Sequence, residues 1–316
     1  MVEDSSIETL GLGKGGMTLM DTETQSGVLQ HLEGKSLKMA SGGSAANTMV
    51  GIAQSGGTGA YFGKVAHDTH GEYYKRDMHE AGIDFPVEMA AEQALPTGTC
   101  VVLTTPDAER TLCTHLGVST TLSPDDIDES MLAQSKIAYI EGYLWDAEQP
   151  RAACVKTFES CKKYGVKAAF TFSDAFLIDR FADDFKKLVA DHCDILFCNA
   201  DEGRMFFGVD DIESVAENFK SICDLVFLTD GADGCHVIHE GQRTHVAGFG
   251  VNAIDTVGAG DAFAGGALYG LTNGMDPVSS AKWGNYLASR VVAQIGPRLE
   301  EKSLSDHVGQ VVAGVV

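Results

Sequence analysis

Residues 255–266 read DTVGAGDAFAGG, a glycine-rich turn that follows a β-like stretch and opens an apolar helix. The first turn of a helix presents backbone N–H groups without intrahelical partners, and the helix dipole adds to their attraction for negative charge. Gly258 and Gly260 let a ligand approach the backbone closely because they carry no Cβ. The stretch therefore predicts an anion site at the start of a helix predicted over 260–272.

Asp261 is the unusual member of this turn, because it places a carboxylate inside a site suited to anions. Its charge could serve only to compensate the helix dipole. A carboxylate beside a phosphate cradle also suits phosphoryl transfer, since it can accept the proton of an attacking hydroxyl while backbone amides stabilise the transferred group. We therefore treat Asp261 as a candidate general base.

The segment 41–47 (SGGSAAN) places two glycines before a small-residue helix predicted over 44–55. Gly42 and Gly43 allow a ligand or a second backbone to approach closely. Asn47, one turn into the helix, can offer both a donor and an acceptor to a polyol hydroxyl. A tight turn followed by a serine cap is the alternative explanation of the same residues.

A third polar segment, 199–202 (NADE), follows the apolar strand predicted over 195–198. Ligands in open α/β sheets bind beyond the carboxyl ends of the strands, where Asn199 and Glu202 could orient a hydrated Mg²⁺. A simple helix cap would explain these residues equally well. Residues 229–231 (TDG) form a further polar turn after the next strand.

Short apolar strands alternate with helices through most of the chain, and this order predicts a parallel sheet in an α/β fold. The predicted strands cover 60–65, 137–140, 167–171, 195–198, 225–228, 235–238 and 245–246. The remaining predicted helices cover 69–81, 123–133, 147–164, 178–191, 200–207, 212–221 and 277–295.

Two β-rich runs, 98–105 and 110–116, interrupt this alternation. They are joined by Pro106-Asp107-Ala108-Glu109, in which the Pro-Asp pair favours a turn. We expect this hairpin to lie in a small accessory sheet.

The acidic composition excludes some classes of partner. The 316 residues contain 45 acidic and 23 basic side chains, a net charge of −22, which argues against nucleic acid or an anionic membrane as partner. The sequence has no apolar run long enough to span a membrane, and residues 1–10 lack the apolar core of a signal peptide. With eight cysteines and no C-x-x-C pair, we expect a cytoplasmic protein with reduced thiols.

Residues 11–16 (GLGKGG) satisfy the G-x-G-x-x-G pattern of dinucleotide-binding folds. That pattern requires a strand before it and a helix after it. Only 7–10 could supply the strand, and 17–25 (MTLMDTETQ) does not read as a clear helix start. A dehydrogenase would need residues 11–16 on a turn from a strand to a helix, and the flanking residues do not favour that turn.

In this order and spacing, the three polar segments resemble the PfkB (ribokinase-like) family of sugar and nucleoside kinases. Residues 255–261 match D-T-x-G-A-G-D, 41–47 match G-G-S-x-x-N, and 199–202 match N-x-x-E. The resemblance extends from about Gly13 to Leu299. It implies a three-layer α/β/α sandwich with a mostly parallel sheet.

The resemblance also implies a single domain over 1–316, with a small β lid contributed mainly by about 95–118. The family opens with an apolar strand and a Gly-Asn or Gly-Asp turn, followed by an Asp that binds the acceptor. Residues 7–20 look like what normally comes after that point. We therefore expect the opening strand, one lid segment and the acceptor-binding Asp to be missing from this sequence.

The family's functional residues carry over to matching positions of this chain. The resemblance implies Asp261 as catalytic base; Gly258, Ala259 and Gly260 as the anion hole; Gly42, Gly43 and Asn47 for the acceptor; Asn199 and Glu202 for Mg²⁺ through water; and Thr229, Gly231, Asp255, Thr256 and Asn285 for the nucleotide.

The implied activity is ATP- and Mg²⁺-dependent phosphorylation of a primary hydroxyl on a small molecule, by a monomer or homodimer. Within the family, 96–100 (PTGTC), 139–143 (YIEGY), 173–176 (SDAF) and 194–199 (DILFCN) look most like adenosine kinases and their bacterial relatives. Adenosine is therefore the first candidate acceptor. A kinase for ribose- or fructose-like sugars and a non-catalytic nucleoside- or nucleotide-binding protein are the alternatives.

Overall fold

Helices and strands alternate along most of the chain. The computed structural model describes residues 2–35, 37–91, 95–107 and 109–315. Its helices are α1 (Asp4–Thr9), α2 (Thr22–His31), α3 (Ser44–Gln54), α4 (Thr69–Glu80), α5 (Glu129–Leu132), α6 (Glu148–Tyr164), α7 (Ala175–His192), α8 (Ala200–Phe207), α9 (Ile212–Phe219), α10 (Ala259–Thr272), α11 (Pro277–Val292) and α12 (Ser305–Val312). Its strands are β1 (Met17–Leu19), β2 (Gly59–Ala60), β3 (Ile83–Asp84), β4 (Thr99–Thr104), β5 (Arg110–His115), β6 (Ile137–Glu141), β7 (Lys167–Thr171), β8 (Ile195–Asn199), β9 (Leu225–Thr229), β10 (Gly234–His239) and β11 (Gln242–Ala247).

The chain divides into two compact units. The smaller unit contains 1–41, 63–77 and 87–122, and the larger unit contains 42–62, 78–86 and 123–316. The predicted lid segment falls wholly within the smaller unit, and the three polar segments, apart from the first residue of 41–47, fall within the larger one.

A six-stranded sheet forms the centre of the larger unit, in the order β11-β10-β9-β8-β7-β6. Strands β6 to β9 run parallel, and β10 runs antiparallel to both β9 and β11. The parallel strands are short apolar runs, largely buried, because helices cover both faces of such a sheet. The predicted α/β fold with a mostly parallel sheet is confirmed. The pairing of Asn199 with Thr229 puts two of the predicted site residues side by side at the carboxyl edge.

The helix predicted over 123–133 is wrong as a continuous element. Pro124–Asp126 forms a single 3₁₀ turn, and Ile127 is extended with ψ 107°. A new helix, α5, begins after Asp128, whose carboxylate accepts the Ser130 N–H at 2.8 Å. A second capping aspartate therefore divides the predicted helix in two.

Three helices and two strands were not predicted from the sequence: α1, α2, α12, β1 and β3. Helix α2 has a mainly polar sequence and buries only Gln25 and Val28, so its apolar periodicity is weak. Helix α12 is a short terminal element that also gave no clear signal. Of the strand predicted over 60–65, only Ala60 lies in a strand, the two-residue β2. Within the described residues, every helix is too short or too polar to cross a membrane.

Glycines allow α10 to pack closely against α3 and α11. A Cβ on Gly265 would lie 2.6 Å from the carbonyl oxygen of Thr48 in α3, and a Cβ on Gly266 would lie 2.8 Å from the Cα of Gly284 in α11. Contacts this short do not occur between real carbon and backbone atoms, so the side chain must be absent. The close packing lets the start of α3 meet the start of α10.

We predict that Gly266→Ala lowers the free energy of unfolding by about 1–3 kcal/mol, because the new methyl group would press on the α11 backbone. The clash outweighs the gain of about 1 kcal/mol that alanine normally brings to a helix interior. Urea unfolding followed by tryptophan fluorescence measures the change. Gly309→Ala, at an exposed position of α12 where a Cβ meets nothing within 4 Å, is the control and should be stabilising. Equal stability of the two variants would contradict the packing argument.

A three-stranded sheet forms the smaller unit, in the order β1-β5-β4. β4 and β5 form the predicted antiparallel hairpin, and β1 adds in parallel to β5. Gln25 links helix α2 to this sheet by hydrogen bonds. Its Nε2 donates to the carbonyl of Thr99 at 3.0 Å and to that of Cys113 at 2.9 Å. The hairpin prediction is confirmed for its strands, whereas Ala108 of the predicted turn lies outside the described residues.

Candidate active site

The signature turn, residues 255–261, leads directly into α10. Gly258 is the residue before the helix and has φ 81°, a left-handed conformation that favours glycine. The first intrahelical bond runs from Ala262 N–H to the Gly258 carbonyl at 2.8 Å. The amides of Gly260 and Asp261 come before Ala262 in the helix, so they donate no intrahelical hydrogen bond and can bind an anion. The amide of Ala259, also predicted for the anion hole, donates to the Thr256 carbonyl at 3.2 Å.

Asp255 stabilises the signature turn through hydrogen bonds from the backbone to its carboxylate. It is buried, and its carboxylate accepts the Val257 N–H at 3.1 Å and the Gly296 N–H at 2.6 Å. Both carboxylate oxygens therefore bind backbone within the protein. This bonding ties the turn to the segment after α11. The predicted nucleotide contact of Asp255 stays a prediction, as does that of Thr256.

The segment 41–47 and the signature turn meet through their side chains. Asn47 Nδ2 donates to the Asp261 carboxylate at 2.8 Å, although the two residues are 214 positions apart. Arg298 Nε donates to Asn47 Oδ1 at 2.8 Å, which fixes the orientation of the amide so that its NH₂ group faces Asp261. The packing of α3 on α10 thus brings together two residues that the sequence singled out. Arg298 was not predicted, because no local pattern marks it.

The environment of Asp261 opposes full ionisation without preventing it. Burial raises the pKa of the Asp261 carboxyl, while hydrogen bonds from Asn47 and Ser44 and the positive charge of Arg298 lower it. A base in a low-dielectric site gains proton affinity, and these polar neighbours keep the carboxylate form accessible. The arrangement suits a group that must accept a proton from a hydroxyl.

Glu141 is a second acid at this site, and sequence analysis did not single it out. It ends β6, is buried, and accepts the Ala45 N–H at 2.5 Å. Burial raises the pKa of its carboxyl to about 7, and repulsion from Asp261 adds to the effect. An acid at the carboxyl end of an apolar parallel strand was the available signal, because ligands bind at that edge.

Gly42 and Gly43 form the entrance to α3. Gly43 has φ 97°, a conformation that favours glycine, and its carbonyl accepts the Asn47 N–H at 2.9 Å. A Cβ on Gly42 would meet no atom within 4 Å. The turn therefore directs Asn47 toward Asp261 and leaves open space at Gly42, and the binding of an acceptor there stays a prediction.

Asn199 and Glu202 form a reciprocal helix cap at the start of α8. Asn199 Oδ1 accepts the Glu202 N–H, and Glu202 Oε2 accepts the Asn199 N–H, both at 2.8 Å. Burial, with nearby Asp174 and Asp201 adding to it, raises the pKa of the Glu202 carboxyl to about 7. The structure thus confirms that Asn199 and Glu202 form a helix cap. That they also orient a hydrated Mg²⁺ stays a prediction.

The remaining predicted nucleotide residues come from the end of β9 and from α11. Thr229 ends β9 and donates through Oγ1 to the Cys198 carbonyl at 3.4 Å, and Gly231 follows with φ 55°. Asn285 is buried on α11, and its Nδ2 donates to the carbonyls of Val246 and Ala247 on β11 at 2.9 and 3.2 Å. These bonds hold the helix to the sheet. Its predicted contact with a nucleotide remains untested.

The dinucleotide-binding interpretation of 11–16 is wrong. The segment follows a helix, α1, and precedes a strand, β1, which is the reverse of the strand–turn–helix order that the pattern needs. The Gly16 N–H donates to the Gly13 carbonyl at 3.3 Å, so these glycines form a helix-to-strand turn.

Known proteins resemble this chain over most of its length. The adenosine kinase of Sinorhizobium meliloti, known from its crystal structure, superposes with a TM-score of 0.90 at 33% identity, covering 100% of this chain and 94% of that one. The adenosine kinase of Saccharomyces cerevisiae is 28% identical over 285 residues, which span 85% of this chain and 82% of that protein. The 5-dehydro-2-deoxygluconokinase of Bacillus subtilis is 27% identical over 262 residues, 80% of this chain and 81% of that protein.

The profile of the pfkB family carbohydrate kinases matches residues 16–303. This range contains all three polar segments, and the structural likeness confirms the expected ribokinase-like fold. Members of this family transfer a phosphoryl group to a hydroxyl, so the chain is a phosphotransferase acting on a small sugar or nucleoside. The chain thus belongs to the PfkB family of carbohydrate kinases.

Proposed function

We propose that this protein phosphorylates the primary hydroxyl of a ribonucleoside, with adenosine as its acceptor and ATP as donor. The observation that carries the proposal is the hydrogen bond from Asn47 to Asp261, which joins an acceptor motif to a buried acid at a helix N-terminus. The likeness to adenosine kinases, at 33% identity for the S. meliloti protein, favours adenosine over other acceptors.

Asp261 acts as the general base in this proposal. Its carboxylate takes the proton of the acceptor hydroxyl as the oxygen attacks the γ-phosphorus. The amides at the start of α10 then stabilise the charge on the transferred group, and the helix dipole points in the same direction. Asn47 holds the carboxylate in place, because its own amide is oriented by Arg298.

Mg²⁺ would accompany the nucleotide rather than occupy a protein cage. Within the described part of the chain, no group of three His, Cys, Asp or Glu side chains is arranged to hold a metal ion. Mg²⁺ commonly takes one or two carboxylates together with waters and substrate phosphates, and buried Glu202 beside Asn199 fits that chemistry. Bound there, Mg²⁺ would neutralise charge on the phosphates.

A sugar kinase is the second candidate, because the B. subtilis 5-dehydro-2-deoxygluconokinase matches nearly as well as the yeast adenosine kinase. A non-catalytic nucleoside-binding protein is the third. It predicts saturable nucleoside binding without formation of ADP. We also expect a cytoplasmic monomer or homodimer.

An acceptor panel tests the proposal. Coupled ADP release is measured with adenosine, ribose, fructose and 5-dehydro-2-deoxygluconate at fixed MgATP, and kcat/KM is compared. The proposal expects adenosine to exceed each sugar by at least about tenfold, equivalent to about 1.4 kcal/mol of transition-state discrimination. A sugar with the higher kcat/KM would establish the second candidate, and binding without turnover the third.

A further inference from the structure

Strands β8 and β9 begin with matching sequence and matching local geometry. Residues 193–197 read CDILF, and residues 223–227 read CDLVF. Each cysteine thiol lies against the carbonyl oxygen two residues ahead. The distance is 3.1 Å from Cys193 Sγ to the Ile195 oxygen and 3.5 Å from Cys223 Sγ to the Leu225 oxygen. The two side chains therefore leave the chain in the same direction.

The two cysteines stand opposite each other at the entrances of neighbouring strands. Ile195 pairs with Leu225 in the parallel register, and each cysteine lies two residues before its member of that pair. Neighbouring strands are about 4.8 Å apart, and the Cα atoms of a disulfide are usually about 4.4–6.8 Å apart. Cys223 Sγ also lies 3.6 Å from the Cys193 carbonyl oxygen. The register and the side-chain direction thus suit a disulfide between these two residues.

The cysteines inside the described strands are not placed in this way. Cys113 on β5 pairs with Val101, the residue after Cys100 on β4, so the two thiols point to opposite faces of the small sheet. Cys100 is accordingly exposed and Cys113 buried. Cys198 on β8 and Cys235 on β10 are separated by β9.

Both thiols of the 193/223 pair line a cavity of about 940 Å³. It lies where β7, β8 and β9 begin, at the edge of the large sheet opposite to Asn199 and Thr229. Cys193 is partly exposed, and Cys223 retains 8% of its surface. A small oxidant can therefore reach the pair without entering the candidate active site.

The two thiols differ in their affinity for a proton. The neighbouring Cys193 thiol lowers the pKa of the Cys223 thiol, although burial and the charges of Asp224 and Asp194 oppose this effect. Burial raises the pKa of the Cys193 thiol. Because the thiolate is the reactive form of cysteine, Cys223 is the better nucleophile of the two.

We propose that Cys193 and Cys223 form an oxidation site, which reacts with a hydroperoxide and closes to a disulfide between the starts of β8 and β9. The inference does not depend on the proposed function. Both thiols are free in the reduced protein. The two strands are already paired, so the bond forms without rearranging the sheet.

The reaction balances with the hydroperoxide as oxidant. The Cys223 thiolate attacks one oxygen, the O–O bond breaks, and a sulfenic acid forms while the released oxygen takes up the proton that the thiol lost. Cys193 Sγ then attacks the Cys223 sulfur. The S–S bond forms, the S–O bond breaks, and the hydroxyl leaves as water with the Cys193 proton. Two thiols lose two electrons, and the hydroperoxide is reduced to water and an alcohol, or to two waters when it is hydrogen peroxide.

Thiol counting and peptide mapping test the inference. The full chain is reduced, freed of reductant, treated with a small excess of hydrogen peroxide, and then unfolded in acid and alkylated. Two of the eight thiols should escape alkylation and become available again after treatment with dithiothreitol.

The position of the bond follows from digestion with trypsin and a protease that cleaves before aspartate. Asp194 separates Cys193 from Cys198, and Asp224 separates Cys223 from Cys235. The expected product joins fragment 191–193 to fragment 221–223. Eight free thiols after the treatment, or a bond from either residue to Cys161, which lines the same cavity, would overturn the inference.

Single substitutions test the order of the two steps. In Cys193→Ser, the sulfenic acid on Cys223 has no thiol to attack it, so dimedone should label Cys223 after peroxide treatment. Cys223→Ser should lose the disulfide and leave Cys193 unlabelled. Cys100→Ser removes an exposed thiol from the smaller unit and is the matched control, which should form the disulfide as the unaltered protein does. Labelling of Cys193 in place of Cys223 would contradict the proposed order.

Thermal unfolding of the unaltered protein shows whether the bond suits the folded sheet. A disulfide that fits the native geometry restricts the unfolded chain, so peroxide treatment should raise Tm by roughly 3–8 °C. The same treatment should leave the Tm of Cys193→Ser unchanged. A lower Tm in the oxidised unaltered protein would mean that the bond forms only by distorting the strands, and would overturn the inference.

Discussion

Asp261→Asn should lower kcat by roughly 10²–10⁴-fold and leave ATP affinity unchanged, as expected for a lost general base. The asparagine amide cannot accept a proton from the acceptor hydroxyl. It has the same shape as the aspartate, and its oxygen can still accept the 2.8 Å hydrogen bond from Asn47. Steady-state ADP release measures kcat, and calorimetric titration with ATP measures affinity.

Asp276→Asn is the matched control for this substitution. Asp276 caps α11 and accepts the N–H groups of Val278 and Ser279 at 2.9 and 3.0 Å, a role that asparagine fills equally well. The control should keep full activity and stability. A rate for Asp261→Asn equal to that of the control would remove Asp261 from the role of base.

Gly258→Ala should abolish most activity and also destabilise the fold. A Cβ on Gly258 would lie 2.6 Å from the carbonyl oxygen and 2.7 Å from the Cα of Pro297, so the turn must move. Its φ of 81° adds about 1–2 kcal/mol of backbone strain for an L-residue. Displacing the amides of the signature turn should cost at least about 10²-fold in kcat, the usual effect of losing one such donor.

Gly274→Ala separates backbone strain from the steric clash. Gly274 also has φ 81°, but a Cβ there meets nothing within 4 Å. This variant should lose about 1–2 kcal/mol of stability by thermal or urea unfolding and remain active. Equal loss of activity in the two variants would mean that general destabilisation, rather than the geometry of the turn, explains the effect.

Local sequence pattern was sufficient to predict the elements that carry the site. The glycines of 255–261 and the acid after them predicted a helix N-terminus with a base, and the structure has that helix beginning at Ala259. The run 167–171 gave the limits of β7 without error, because its buried centre, 168–170, is apolar and short, as is typical of a parallel strand.

Tertiary contacts explain what the sequence did not predict. Glu141 and Arg298 act on the site only because α3 brings Ser44 and Asn47 against Asp261, and no spacing along the chain reveals that arrangement. The position of a residue in the sequence also does not show which hydrogen bonds its side-chain oxygens make. The carboxylate of Asp255 binds two backbone amides of the protein, which the sequence did not predict, and its contact with the nucleotide stays a prediction.

We propose that this protein transfers the γ-phosphoryl group of ATP to a nucleoside hydroxyl, with Asp261 as base. The most direct measurement is ³¹P NMR of the protein mixed with ATP, Mg²⁺ and adenosine. We predict that the signals of ADP and of adenosine 5′-monophosphate grow at equal rates, and that neither grows measurably with Asp261→Asn over the same period. ADP appearing together with free inorganic phosphate, or equal product formation by the two proteins, would contradict the account.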